Sequence, residues 1–285
     1  MTTIVFIHYG DSDYLEFVFR LASKFNQGGN VFLLGDANNI RYQQFGIKHD
    51  EFKKYNTGKL SNKFIDRYKC LSNIGNNHKV TFDFHRWFIL HNFMIDNNFD
   101  RCWYFDSDTF ICCDLEEKVK HFAMHKLSLI NHISGCACLI SIDALRLYLE
   151  LTINLNKNRE FVEGQRKILT DCDARKELYS CCDMTIFREY QKAYGPCGEL
   201  STIINQESFD PNINIDRANI IEDRPVWEME TRTLGVRRPI KRLYFIDGLP
   251  YCHYLPTGKK IRMNTLNMSL MKYDFNEGVF NQING

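Results

Sequence analysis

Short apolar runs alternate with segments of helical period along the first half of this chain, and that alternation constrains the fold more than any other feature. The opening TTIVFIH (residues 2–8) reads as a buried strand, DSDYLEFVFRLASKF (11–25) has its apolar residues at helical spacing, and NVFLLGD (30–36) is a second buried strand. Strand, helix, strand predicts a parallel unit and an α/β chain. KLSNKFIDRYKCLS (59–72) and FDFHRWFILHNFMIDNN (82–98) read as helices and RCWYFD (101–106) as another buried strand. KLSLINH (126–132) and CACLISI (136–142) read as strands, and DALRLYLELT (143–152) and DMTIFREYQKAY (183–194) as helices. A Pro- and Asn-rich stretch follows, and RLYFIDGLPYCHYL (242–255) predicts two strand-like runs around a Gly-Pro turn. No repeat or linker interrupts the pattern, so one domain over residues 1–285 is expected.

Charge and cysteine content narrow the setting. With 36 basic and 35 acidic side chains the formal net charge is +1, so no overall field attracts nucleic acid or an anionic membrane. The N-terminus has neither a basic start nor a long apolar run, and no later segment reaches about 18 consecutive apolar residues, so no transmembrane segment is expected, only peripheral membrane contact. The eleven cysteines are odd in number, and the pairs Cys112/Cys113, Cys136/Cys138 and Cys181/Cys182 lack the CxxC spacing of zinc sites. Most lie in apolar stretches, where a thiol acts as a small hydrophobe, and this predicts reduced core cysteines and a cytoplasmic location.

The chemistry concentrates in CWYFDSDTFIC (102–112), where a buried-type strand runs into two aspartates one residue apart. Ligands of open α/β sheets sit beyond the carboxyl ends of strands, which is where Asp106 and Asp108 fall. In an extended segment alternation turns both carboxylates to one side, where a hard divalent cation removes their repulsion. Mg2+ or Mn2+ held by one or two carboxylates completes its shell with water and substrate phosphates, which points to a nucleotide diphosphate. The competing reading is an aspartate helix cap or turn ahead of DLEEKVKHF (114–122).

YFDSDTFI (104–111) resembles the DxD motif of nucleotide-sugar-dependent glycosyltransferases of the GT-A fold. The N-terminal IVFIHYGDSDYLEFVFRLA and VFLLGD, the helix FDFHRWFILHNFM, the CDMTIF segment and NTLNMSLMKY fall in the order found in bacterial-type members, so the resemblance covers most of the chain. It implies a Rossmann-like domain with a mostly parallel central sheet flanked by helices and a small antiparallel C-terminal part. Residues 1–115 would form the nucleotide-binding half and 116–285 the sugar and acceptor half. The implied activity is transfer of a sugar from a nucleotide-diphosphate sugar, often a UDP-sugar, to a glycan or glycolipid acceptor, with Mn2+ or Mg2+ bridging the diphosphate.

Further residues take roles within that frame. At about 100° per residue, Arg86 lies among Phe82, Ile89, Leu90 and Phe93, so its guanidinium needs a carboxylate or phosphate partner unless it snorkels to the surface. The resemblance favours the donor phosphates or the first aspartate, with Ser107 beside them. His8, Tyr9 and Gly10 end the first strand and Asp36 the second, where such a fold receives base and ribose; Gly and Asp also suit strand-end turns for backbone reasons alone. Asp183 is either the acidic member of an S-x-x-D capping box led by Ser180 or, as the resemblance implies, a general base or stabilising carboxylate at the reacting sugar. Ser134 and Gly135 would line the sugar pocket. Relatives carry a histidine and then a lysine near the C-terminus; LNMSLMK (266–272) has Asn267 and Lys272 there, so Asn267 becomes the candidate third metal ligand, with His253 as a fallback, and Lys272 a candidate for the leaving diphosphate.

Two other classes compete. A haloacid-dehalogenase-type phosphatase also places DxD after a buried strand, but with Thr or Val at its fifth position, where this chain has Phe110, and close to the N-terminus. A noncatalytic sugar- or nucleotide-binding relative is the other.

Overall fold

The computed structural model describes residues 2–56, 61, 64, 68, 70–75, 77–217, 225–231, 239–269, 271 and 273–285. Strand β1 (Thr3–Ile7), helix α1 (Leu15–Phe25) and strand β2 (Asn30–Gly35) form the expected parallel unit, in register from Thr3 opposite Asn30 to Ile7 opposite Leu34. A 3-10 helix (Ala37–Phe45) leads into β3 (Lys48–Glu51), parallel to β2. Next come the long helix α2 (Asn77–Asp96), β4 (Arg101–Phe105), β5 (Thr109–Ile111), α3 (Leu115–Phe122), β6 (Leu127–Ile130) and β7 (Ser134–Ser141). Helices α4 (Ile142–Lys157), α5 (Arg159–Arg175) and α6 (Asp183–Tyr194) precede β8 (Gly198–Glu199). The helix predicted over residues 59–72 lies largely outside the described residues.

The central sheet has seven strands in the order β3-β2-β1-β4-β7-β6-β8. It is mostly parallel: β7 alone runs antiparallel to its neighbours, β4 and β6. From β1 the chain moves outward to β2 on one side, while β4 lies on the other, so a topological switch falls between the carboxyl ends of β1 and β4, the place where open α/β sheets bind ligands. Alternation sends Ile4, Phe6, Trp103 and Phe105 to one face with α1, and Val5, Ile7, Cys102 and Tyr104 to the other with α2, α4 and α6. Both faces are covered, which is why β1 and β4 read as unbroken apolar runs.

The C-terminal part contributes β9 (Glu207–Phe209), β10 (Met229–Glu230), β11 (Ile240–Lys241), β12 (Leu243–Ile246), β13 (Leu249–Tyr254), β14 (Lys259–Asn267) and α7 (Tyr273–Asn284). Strands β12, β13, β14 and β5 make a smaller antiparallel sheet, with β9 alongside β14. Because β5 follows β4 after only three residues, the DxD segment joins the two sheets. The β12–β13 turn is Asp247-Gly248, both at positive φ (50° and 72°), rather than Gly-Pro; this is the primed turn that matches strand twist, and Pro250 already sits in β13 opposite Phe245. Among the described residues no helix is long and apolar enough to cross a membrane.

Candidate active site

At the end of β4 the chain turns at once. The N–H of Thr109 donates to the carbonyl of Asp106 at 3.0 Å, closing a four-residue turn over Asp106-Ser107-Asp108-Thr109. The expectation of an extended segment is therefore corrected: two closely spaced sheets leave room only for a turn, and the turn, not strand alternation, brings the aspartates to this edge. Each is pinned through its backbone. The N–H of Asp106 donates to Cys136 in β7 (2.7 Å), and the carbonyl of Asp108 accepts from Met268 (2.8 Å). Tyr14 reports both carboxylates: burial first, then the charge of Asp108 and, more weakly, that of Asp106 push its hydroxyl above its ordinary pKa. Of the competing reading, the turn is present and the helix cap is not, since Asp114 caps α3 by accepting from Glu116.

Arg86 rises from α2 beneath the turn. Its Nη1 donates to Asp106 Oδ1 at 2.6 Å and its Nη2 to Asp183 Oδ2 at 2.5 Å, with Tyr104 Oη at 3.3 Å and the Asp83 carbonyl at 3.2 Å. Only 12% of the side chain is exposed, so it does not snorkel. Burial by itself would lower its pKa, but the charges of Asp106 and Asp183 hold it well above the ordinary value. The residue is thus a permanent cation linking two carboxylates 77 positions apart (183 − 106).

Asp183 is the first residue of α6 and is buried. Its Oδ2 also accepts from Trp87 Nε1 (3.1 Å), and its Oδ1 from the N–H of Met184 (2.9 Å). The capping box with Ser180 does not form: Cys182 is the N-cap residue, and Ser180 Oγ is buried with no partner among the described residues. Gly135 supports this arrangement from behind. A Cβ there would lie 2.4 Å from Trp87 Cζ2 and 3.0 Å from Phe187, so the glycine admits the indole ring; the expected close approach is to Trp87. Ser134 is half-buried at the start of β7. The β6–β7 turn before it holds Asn131 and His132 at positive φ (52° and 59°), and Glu199 accepts from both backbone N–H groups (3.0 and 2.5 Å).

The other strand ends converge from the left. His8 Nδ1 lies 2.8 Å from Ser107 Oγ, which closes the switch between β1 and β4. Gly10 has φ +84°, and its N–H donates to Asp36 Oδ2 at 2.6 Å, while Asn39 Nδ2 donates to the Gly10 carbonyl at 3.1 Å. Asp36 therefore has the backbone role anticipated for a strand-end turn. Beside this latch is a recess of about 290 Å³ lined by Gly10, Asp11, Asp36, Ala37, Asn38 and Lys53. Asp11, Asn38 and Lys53 carry no motif and are recognisable only from the fold. The ring of Tyr9, 70% exposed, has its centroid 6.1 Å from that of Phe52 and 6.0 Å from that of Phe82.

On the opposite side Asn267 ends β14 directly across from Thr109, buried, with Nδ2 3.3 Å from Asp108 Oδ1. It presents amide hydrogens to the aspartate. His253 lies in β13 with Nδ1 3.4 Å from Glu228, and Lys272 is outside the described residues. Among the described residues no three His, Cys, Asp or Glu side chains are grouped to hold a metal. The donor set is two carboxylates, half-buried at the crevice, and hard oxygen donors in that number fit a Mg2+ or Mn2+ ion that draws its remaining ligands from substrate and water.

No family model matches the sequence, and no curated protein matches it. Solved structures do. The apo form of mouse xyloside xylosyltransferase 1 aligns with 72% of this chain and 87% of its own length at a TM-score of 0.48 and 10% identity. GlyE of Streptococcus pneumoniae TIGR4 aligns with 72% of this chain at a TM-score of 0.37 and 14% identity, and this chain spans 46% of it. The galactosyltransferase LgtC, in complex with donor and acceptor sugar analogs, covers 66% of this chain and is itself covered over 70%, at a TM-score of 0.37 and 13% identity. All three are glycosyltransferases. At identities of 10–14% and TM-scores of 0.37–0.48, that likeness bears no weight for function, which has to come from the groups described above.

Proposed function

We propose that this chain is a metal-dependent glycosyltransferase that moves a sugar from a nucleotide-diphosphate sugar, of the UDP class, to an acceptor hydroxyl on a glycan or glycolipid. The observation that carries the reading is the carboxylate pair at the β1–β4 switch, with Arg86 joining it to the buried Asp183. Tyr9 offers a ring face for the base, and the recess beside Asp36 has room for the ribose. The diphosphate then runs across the His8–Ser107 contact towards Asp106 and Asp108. These two carboxylates would hold the cation, which when bound neutralises the departing diphosphate.

Transfer forms a bond between the acceptor oxygen and the anomeric carbon, breaks the bond from that carbon to the diphosphate, and passes the hydroxyl proton to an oxygen of the departing diphosphate. Arg86 remains charged and keeps Asp106 oriented. Asp183 accepts hydrogen bonds from Arg86, Trp87 and Met184, and that commitment favours a carboxylate that stabilises positive charge near the reacting sugar over one that takes the proton. Lys272 is retained as the candidate for the leaving phosphate.

A thermal-shift panel of UDP-, GDP- and CMP-sugars with and without Mn2+ tests donor binding. Ligand at a hundred times its Kd adds about 2.7 kcal/mol of stability. The expected result is a rise in Tm with one nucleotide class that needs Mn2+ and is lost in Asp106→Ala and Asp108→Ala. A metal-independent shift that survives both substitutions refutes the assignment.

A further inference from the structure

Behind the aspartate turn lies an ion pair that the proposed reaction does not use. Lys241 Nζ is 2.8 Å from Asp210 Oδ1, and both side chains have no exposure at all. Asp210 follows β9, Lys241 ends β11, and Lys241 Nζ also donates to the Asn212 carbonyl at 2.6 Å. Taking two charges fully out of water costs more than their attraction commonly returns, so stability alone is a poor account of the pair.

Its contacts lead to the site. Asp210 Oδ2 accepts the backbone N–H of Asn267 at 3.0 Å. Asn212 Oδ1 accepts the N–H of Asn214 at 2.8 Å, which turns Asn212 Nδ2 towards Asn267 Oδ1 at 3.2 Å. The N–H of Ser269 donates to the same Oδ1 at 3.2 Å. Backbone N–H groups only donate, so Asn214 and Ser269 fix both amide orientations. Asn267 Nδ2 is thereby aimed at Asp108 Oδ1 and Thr109 Oγ1, both at 3.3 Å. The asparagine gives Asp108 a donor and keeps its own carbonyl turned away from it.

We propose that the buried Asp210–Lys241 pair is a positioning device for Asp108, acting through Asn267, which orients the metal carboxylate from outside the coordination sphere. The proposal rests on reading Asp106 and Asp108 as the cation's ligands. Three segments far apart in sequence meet behind one carboxylate, and the pair supplies the fixed point. Partners that orient a metal ligand commonly change metal affinity by about 10- to 100-fold when removed.

The test is Mn2+ binding to the full chain, read as loss of the free-ion EPR signal, alone and with UDP. Asp210→Leu with Lys241→Met removes the pair without stranding a charge, and the expected result is a folded protein whose Mn2+ Kd is about tenfold weaker. Asp210→Asn with Lys241→Met keeps an acceptor for the Asn267 N–H but not the ion pair that fixes it, and is expected to fall between the first variant and wild type; wild-type affinity there overturns the role given to the pair. Asn267→Leu, which leaves the pair intact, is expected to match the first variant and carries the test if the double replacement does not fold. Wild-type affinity in a folded Asp210→Leu/Lys241→Met protein, or in Asn267→Leu, overturns the proposal. Asp108→Ala separates the two layers: if it binds Mn2+ as wild type does, the ligand assignment itself falls and the relay with it.

Discussion

Arg86 concentrates the site's energetics in one side chain. Its partners are carboxylates on two other elements, and one of them, Asp183, is almost wholly buried. Arg86→Met leaves that aspartate without its counter-charge and is expected to cost about 3–5 kcal/mol in urea unfolding; a change below 1 kcal/mol contradicts the bridge. Arg86→Lys keeps the charge but lacks the fork that reaches both carboxylates, so it should recover stability only in part. Gly135→Ala forces the indole of Trp87 off Asp183 and is expected to lose about 1–3 kcal/mol. The need for a partner at Arg86 was legible, because a guanidinium on an apolar helix face demands one. The identity of Asp183 was not, since nothing local links positions 97 residues apart. Asp210 and Lys241 gave no signal, because FDPN and IKRLYF look like ordinary surface charge until the chain is folded.

Among the elements, the short connections do the positioning. The Asn131-His132 turn has two consecutive non-glycine residues in the left-handed region, a conformation that persists only where the surroundings over-determine it. Both oxygens of Glu199 accept N–H donors there and at Ser201. Glu199→Gln sets an amide against those donors, so limited proteolysis is expected to cut near the turn in the variant and not in wild type; equal resistance contradicts the clamp. The β1–α1–β2 unit and β4 were readable from apolar runs because both sheet faces are covered. Helix α5 is hard to read for the opposite reason: of its side chains only Cys172 is buried, so REFVEGQRKILTDCDAR is dominated by charged and polar residues and looks like a surface segment. Strand β14 is obscured because its start, Lys259-Lys260, is charged and exposed, and the aspartate turn is locally no more than an alternative to an extended segment because only the second sheet forces it.

Across the whole molecule the neutral histidines link folding to pH. Burial lowers the pKa of His85 and of His91 below the ordinary 6.5. The unfolded chain takes up these protons near pH 6.5 while the folded chain resists, so the stability they support is complete above that pH and is lost as pH falls below it. Tm should drop between pH 7 and pH 5, with a shallower slope in His85→Phe/His91→Leu; identical slopes contradict the assignment. At this scale the α/β class followed from alternation alone, whereas the strand order, and with it the β1–β4 crevice, is a tertiary fact that no local pattern encodes. On the proposed function, this crevice breaks a sugar–diphosphate bond under the control of two aspartates. The decisive measurement is release of UDP, GDP or CMP from the corresponding sugar nucleotide, followed with and without Mn2+ in wild type, Asp106→Asn and Asp108→Asn. Mn2+-dependent release of UDP or GDP is expected, falling at least about 100-fold in each variant. Release indifferent to metal and to both substitutions, or inorganic phosphate from simple monoesters in place of nucleoside diphosphate, would contradict it.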